Sequence, residues 1–213
     1  MPSQPQRQTR STPARRKQTE RRETARQKLI QAAIDLIAER GIRKTTLGDV
    51  GEVAGYSRGL AAHHFKSKNA LIEAVARDIH RRATENALRN LPDVAGLSRL
   101  TAAIENYLTT GIELNAIRAL HLLQKEALTE QSEFRDVLRD FNRASIDRLE
   151  SMISEAQVRG EVRSEIDCRT EASVLLATLR GTRAQWLLAP DQVDLKKAVE
   201  HITAHVERAL GDQ

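Results

Sequence analysis

Between Thr45 and Lys68 lies a cluster of hydroxyls, cations and imidazoles whose types suit one task, the gripping of a polyanion. Arg58 is the strongest member, because a guanidinium fork can take either a phosphate or the edge of a guanine through two parallel hydrogen bonds. Gly59 stands beside it in the same turn. Tyr56 and Ser57 offer hydroxyl donors to phosphate oxygens, and Thr45 and Thr46 stand at another helix start, where free backbone amides can meet an oxyanion. His63 and His64 are adjacent, so on a helix they point in different directions and cannot share a metal as an i, i+4 pair would. Both are read as contacts to nucleic-acid backbone or bases. Lys66 and Lys68 complete the set. A cation in the first turn of a helix opposes the macrodipole by roughly a few tenths of a kcal/mol, so Lys68 is expected to face an anion such as a phosphate.

These groups need a small rigid scaffold, and the surrounding pattern supplies one. Leu29, Ala33, Ile34 and Ile37 recur at helical spacing over about 20–40, and Gly41 follows as a left-handed cap. Thr46 can cap a short helix with Asp49 one turn on, and Leu47, Val50 and Val53 form its apolar face. Gly55 supplies a turn, and Ser57 is placed to cap a second short helix over about 58–64. This is a helix-turn-helix, whose second helix is slim enough for a major groove. Gly51 in mid-helix costs up to ~1 kcal/mol in propensity, a loss explained if the second short helix crosses closely over it.

Composition agrees with an all-α fold: hydrophobic residues make up 40%, charged residues 30% and aromatics only 3%, too few for a sheet-rich protein. Charge is uneven. Residues 1–68 carry fifteen Lys/Arg against six Asp/Glu, a net +9, whereas the remainder carries 19 against 23, a net −4, giving +5 in all. A basic first third on a mildly acidic remainder is the footprint of a nucleic-acid-binding end attached to something else. Residues 1–18 are rich in Gln, Ser, Thr, Pro and Arg and are read as a disordered basic arm. The DNA-binding domain is placed at 19–67 and a larger helical part at 68–213, with helices at about 68–88, 97–110, 113–128, 133–159, 168–188 and 194–210. No aliphatic run approaches the roughly 20 residues of a spanning helix, and no signal peptide is visible, so a cytoplasmic protein without membrane contact is expected.

The residues Thr45-Thr46, Ala54-Gly55-Tyr56-Ser57-Arg58-Gly59, His64-Phe65-Lys66-Ser67-Lys68 and Ala70-Leu71 resemble the DNA-binding domain of the tetracycline-repressor (TetR) family. A second likeness, to the closing helices of many members, runs from Leu179-Arg180-Gly181 through Trp186-Leu187-Leu188-Ala189-Pro190-Asp191. Ala61 and Ala62 depart from the family, which often has larger groups there, so fewer long side chains reach bases. The resemblance implies a small-molecule pocket among the fifth to seventh helices, with Tyr107, His121, Gln124 and Phe134 in its lining. Leu138, Phe141 and Trp186 are expected to complete it, and Arg180 and Arg183 are weighed as partners for an anionic ligand against plain solvated arginines.

The helix over about 168–188 has two apolar faces. Leu175, Leu176, Leu179 and Trp186 suit the protomer core; Ala177, Gly181, Ala184 and Leu188 suit a second partner. With Val199, Ile202 and Val206 of the last helix, these are expected to form a four-helix bundle joining a homodimer. No phosphate loop, metalloprotease motif or nucleophile elbow occurs, so neither catalysis nor a cofactor is expected. His201 and His205 have metal-like spacing but no further ligand converging on them, and Cys168 reads as a packing residue. The expected function is a ligand-responsive regulator, a repressor released from a palindromic double-stranded operator by a small molecule. The alternatives are a nonspecific architectural DNA binder and, further off, a helical-bundle enzyme.

Overall fold

The computed structural model describes residues 13–109, 113–129 and 133–211, with side chains from Gln18 onward. Among them the chain forms nine α-helices: α1 (Pro13–Arg40), α2 (Leu47–Val53), α3 (Arg58–Phe65), α4 (Lys68–Asn90), α5 (Gly96–Thr109), α6 (Leu114–Ala127), α7 (Arg135–Val158), α8 (Cys168–Leu188) and α9 (Leu195–Leu210). The expected all-α class and the expected helices are present. One boundary differs: α1 begins at Pro13, so part of the supposed arm is helical, while residues 1–12 of it lie outside the described residues. Proline is well suited to the first helical position, and Ala14, Arg15, Arg16, Lys17 and Gln18 are all strong helix formers that need no core contact to propagate a helix already nucleated downstream.

In the head, Thr46 and Asp49 form a reciprocal capping box on α2, and Arg40 holds the same Asp49 carboxylate at 2.7 Å. The Thr46 hydroxyl and amide, with the Arg40 guanidinium behind them, keep the Asp49 carboxyl below its ordinary pKa. Gly55 turns the chain with φ of 79°, a left-handed conformation that side chains resist. Ser57 occupies the N-cap of α3 with extended dihedrals, but its side chain makes no capping hydrogen bond, unlike the expectation. The Ser57 main chain does the holding instead. A Cβ on Gly51 would lie 2.6 Å from the Ser57 carbonyl oxygen and 3.2 Å from the Arg58 Cα, so α3 crosses α2 at a distance only glycine permits.

Two apolar cores hold the helices together. The first contains Leu29, Ile34 and Ile37 of α1, Phe65 of α3, the first half of α4 through Ile79, and also Leu123 of α6 with Phe134 and Leu138 at the start of α7. The second joins α5, the C-terminal half of α7, α8 and α9. Packing therefore does not follow a cut at residue 67/68, because the first half of α4 belongs to the core of the head. Polar contacts reinforce that seam: Asn115 donates to Asp35 at 2.9 Å, Arg82 donates to Gln31 at 2.8 Å, and Arg43 pairs with Glu126 at 3.6 Å. At the far end, the Glu161 carboxylate accepts the Leu97 amide at 2.7 Å, capping α5 from the α7–α8 loop. That amide, helped by Arg159, holds the Glu161 carboxyl below the usual glutamate range.

Helix propensity alone has Gly51→Ala stabilising the protein, but the close crossing makes it destabilising by roughly 1–3 kcal/mol, measurable as a lowered thermal midpoint. Because the folded pKa of Glu161 is depressed, its contribution is present above the ordinary glutamate pKa and disappears as pH falls through the folded value. Glu161→Gln should therefore narrow the stability gap between neutral and acid solution, as read by thermal melts at several pH values.

Candidate functional site

The exposed face of α3 carries Arg58, Gly59, Ala62 and His63, with Lys66 just beyond it and Ser57 just before. Leu60, Ala61 and Phe65 turn inward, and Ala61 and Phe65 are buried. Arg58 is 75% exposed at its side chain and reaches back to Glu52 on α2, Nε to Oε1 at 2.5 Å. The Glu52 carboxylate raises the Arg58 pKa, so the guanidinium carries its charge throughout. An exposed pair of this kind is screened by water and weak enough to be exchanged for a phosphate or a base edge. Thr46 is exposed too, though its oxygen already accepts the Asp49 amide.

Three of the expected contacts sit elsewhere. Thr45 is 3% exposed and its hydroxyl donates to the Gly41 carbonyl at 2.9 Å, so it locks the α1–α2 turn and presents nothing outward. His64 is half-buried, its ring centroid 6.2 Å from that of Phe65, and burial followed by the charges of Arg22 and Arg26 lowers its pKa. These arginines belong to α1, which His64 therefore faces. Lys68 has no need of an external anion: its ammonium donates to the Arg43 carbonyl at 3.1 Å, and partial burial lowers its pKa. Tyr56 is half-buried against the first core. Between α3 and α4, Lys66 takes φ of 59° and the Ser67 amide donates to the Phe65 carbonyl at 2.6 Å, a tight γ-turn that joins the two helices.

A cavity of about 150 Å³ lies between the second half of α4 and helices α5, α7 and α8, with Leu120 of α6 at its edge. Tyr107 lines it as expected. The others do not. Phe134 and Leu138 are buried in the first core, which holds Leu123 of α6 and the first half of α4, and not in the cavity wall. Phe141 backs the cavity indirectly, stacked on the lining His80 with ring centroids 4.1 Å apart and planes 4° from parallel. His121, Gln124 and Trp186 are half-buried and not in the lining. The pattern did not reveal most of the polar wall, including His80 and Thr84 of α4 and Arg148 of α7, whereas Arg183 of α8, weighed from the sequence as a partner for an anion, does line the cavity. Arg183 is 6% exposed, with its guanidinium 4.0 Å above the Tyr107 ring, so it is not a solvated arginine. Burial lowers the pKa of Arg183 and, with the neighbouring arginines, that of His80 and His121.

On α8, Val174, Ala177, Gly181 and Leu188 form one exposed stripe, with Val174 at 55% and Leu188 at 81% exposure, while Ala184 is half-buried. The opposite face buries Leu175, Leu176 and Leu179. On α9 the expectation fails: Ile202 and Val206 are buried in the second core and Val199 packs against it, so all three serve their own protomer. A single amphipathic face cannot serve two partners. His201 and His205 are exposed, and among the described residues no three metal-ligating side chains converge. No described helix is long and apolar enough to cross a membrane.

Comparison with known proteins places this architecture. Residues 29–75 match the profile of bacterial regulatory proteins of the tetR family, and residues 96–211 match that of the C-terminal part of BetI-type transcriptional repressors. The HTH-type transcriptional regulator TtgR of Pseudomonas putida is 28% identical over 192 residues, covering 87% of this chain and 90% of that protein. A Saccharomonospora viridis protein solved in complex with choline superimposes with a TM-score of 0.79 at 21% identity, over 90% of this chain and 100% of that one. SmeT, the repressor of a Stenotrophomonas maltophilia multidrug efflux pump, does so at 0.69 and 21%, over 88% and 91%. Matched along both its head and its body, with the helix-turn-helix in the expected place, this chain belongs to the TetR family of transcriptional regulators.

Proposed function

We propose that the protein is a repressor that occupies a palindromic DNA operator as a homodimer and leaves it when a small molecule enters the cavity. The observation that carries the reading is the exposed α3 face, with Arg58 free to exchange an exposed partner for DNA at the basic end of the chain. Family membership supports it, and the regulators among its relatives give no reason to assign catalysis. The main contacts assigned to DNA are Arg58, Gly59, His63, Ser57 and Lys66, with Thr46, Tyr56 and the α2 amides toward the phosphates. Thr45, His64 and Lys68 are assigned to holding that surface in shape.

A single eight-residue recognition helix reads too little sequence, so a second copy about one DNA turn away, roughly 34–36 Å, is required. The α8 stripe provides the surface: small Ala177 and Gly181 between Val174 and Leu188 let helices approach closely. Release uses α4. Its first half is packed into the core of the head and its second half lines the cavity, so a ligand that repositions the second half shifts the head and the separation of the two recognition helices. The helical part from 68 onward is thus assigned to effector binding and dimerisation, with the first turns of α4 belonging physically to the head.

Footprinting on the DNA upstream of the protein's own gene should show protection of a palindrome. Uniform protection of any duplex, or none, contradicts the reading. Arg58→Ala should weaken operator binding by about 1–3 kcal/mol at fixed salt, and Glu52→Gln should strengthen it by removing both a competitor and a negative charge. Leu188→Glu, at a position costing the protomer core nothing, should produce monomers in sedimentation with helical content unchanged.

A further inference from the structure

The cavity's polar groups are all neutral or positive. Among the described lining residues there is no aspartate or glutamate, yet two arginines, Arg148 and Arg183, contribute to the wall. Arg148 has one described hydrogen bond, to the Thr84 hydroxyl at 3.4 Å. Arg183 is buried against Tyr107, and among the described residues neither arginine has a carboxylate within ion-pair distance. Elsewhere in the same chain, arginines near the protein surface find acids readily: Asp78 takes both Arg81 and Arg82, and Arg169 takes Asp147 and Glu150. A buried cation without a counter-charge is among the more costly arrangements in a protein, and a tyrosine face offsets it only in part. Arg180 adds to the positive field from behind, hydrogen-bonded to Asn142, and is close enough to lower the pKa of His121. Apolar side chains, Leu149, Met152, Leu176 and Leu179 among them, share the rest of the wall with the neutral polar Asn86, Asn106, Ser145 and His80.

We infer that this cavity takes an organic anion, a carboxylate on a small apolar body, whose charge is met by Arg183 and Arg148 and whose body lies against the leucine and methionine wall. The inference rests on the reading of the cavity as the effector site and names the ligand's chemistry there. A volume of about 150 Å³ is that of a cavity holding a benzene-sized molecule, which sets the acid near the size of benzoate. A guanidinium is matched to a carboxylate in shape as well as charge, since two parallel N–H donors meet two oxygens. The same field opposes a quaternary ammonium ion, so choline is expected to be rejected here. An anion drawn to both arginines would also tie α8 to α7 beside His80 and Thr84 of α4, the helix that carries the head.

The test uses the full-length protein with benzoate, hexanoate, benzamide and choline, each measured by titration calorimetry and thermal shift. At least one carboxylate should bind roughly tenfold or more tightly than benzamide, because a hydrogen-bonded charge is lost in the amide. Arg183→Met and Arg148→Met should each weaken carboxylate binding by roughly tenfold or more while leaving benzamide binding unchanged. Circular dichroism checks that each variant folds, and Arg148→Met carries the test alone if Arg183→Met does not. Failure of both carboxylates to bind at millimolar concentration, binding of benzamide or choline as tight as the acid's, or carboxylate affinity unmoved in the folded variants overturns the inference. The operator footprint separates the two readings. Release by choline or benzamide but not by acid leaves the regulator standing and removes the anion; tight acid binding that leaves the footprint unchanged at saturation does the reverse.

Discussion

The head, and its attachment to the rest of the molecule, depend on the burial of α1 on two sides at once. Leu29, Ile30, Ala33, Ile34 and Ile37 are all at most 1% exposed, which no helix achieves by covering a single partner. On one side they support α2 and α3, helices of seven and eight residues that are too short to persist in water without a packed neighbour. On the other they meet α4 and α6, so the head is built on the body and not appended to it. Helices α4 and α6 thus share one core with the helices that carry Arg58.

The arginines divide into two populations with different physics. Those of the head, such as Arg58, lie in high dielectric, pair weakly and can change partners with little loss. Those around the cavity are more withdrawn from water, Arg148 half-buried and Arg183 buried. A charge held in a partly apolar cleft interacts more strongly with whatever ion reaches it. A regulator needs both behaviours: reversible, salt-sensitive contact with DNA at one end and discriminating recognition of a small molecule at the other.

Local chemistry was legible where the determinant is local. The capping box of Thr46 and Asp49, the turn at Gly55, and the glycine at 51 under the crossing of α3 all follow from short-range spacing, and the structure contains each of them. Spacing resolves less where two neighbours of like chemistry differ only in burial. Thr45 and Thr46 differ only in which one the turn buries, and His63 and His64 only in which side of a short helix they occupy. Lys68 has the unmet charge its position at the start of a helix implies, but the carbonyl that satisfies it lies 25 residues away in sequence, beyond the reach of local spacing.

By itself the sequence determined the all-α class, the order of the helices, the helix-turn-helix and the concentration of positive charge at its end, because periodicity, caps and composition act within a few residues. Only the tertiary structure decided which apolar stripe meets which. It assigned Phe134 and Leu138 to the core beneath the head, enclosed Ile202 and Val206 within the protomer, and left the α8 stripe uncovered. It also placed Arg148 and Arg183, far apart along the chain, around one cavity. The physical reason is that an amphipathic helix encodes the existence of a buried face but not the identity of its partner, which is settled by the packing of all the helices together.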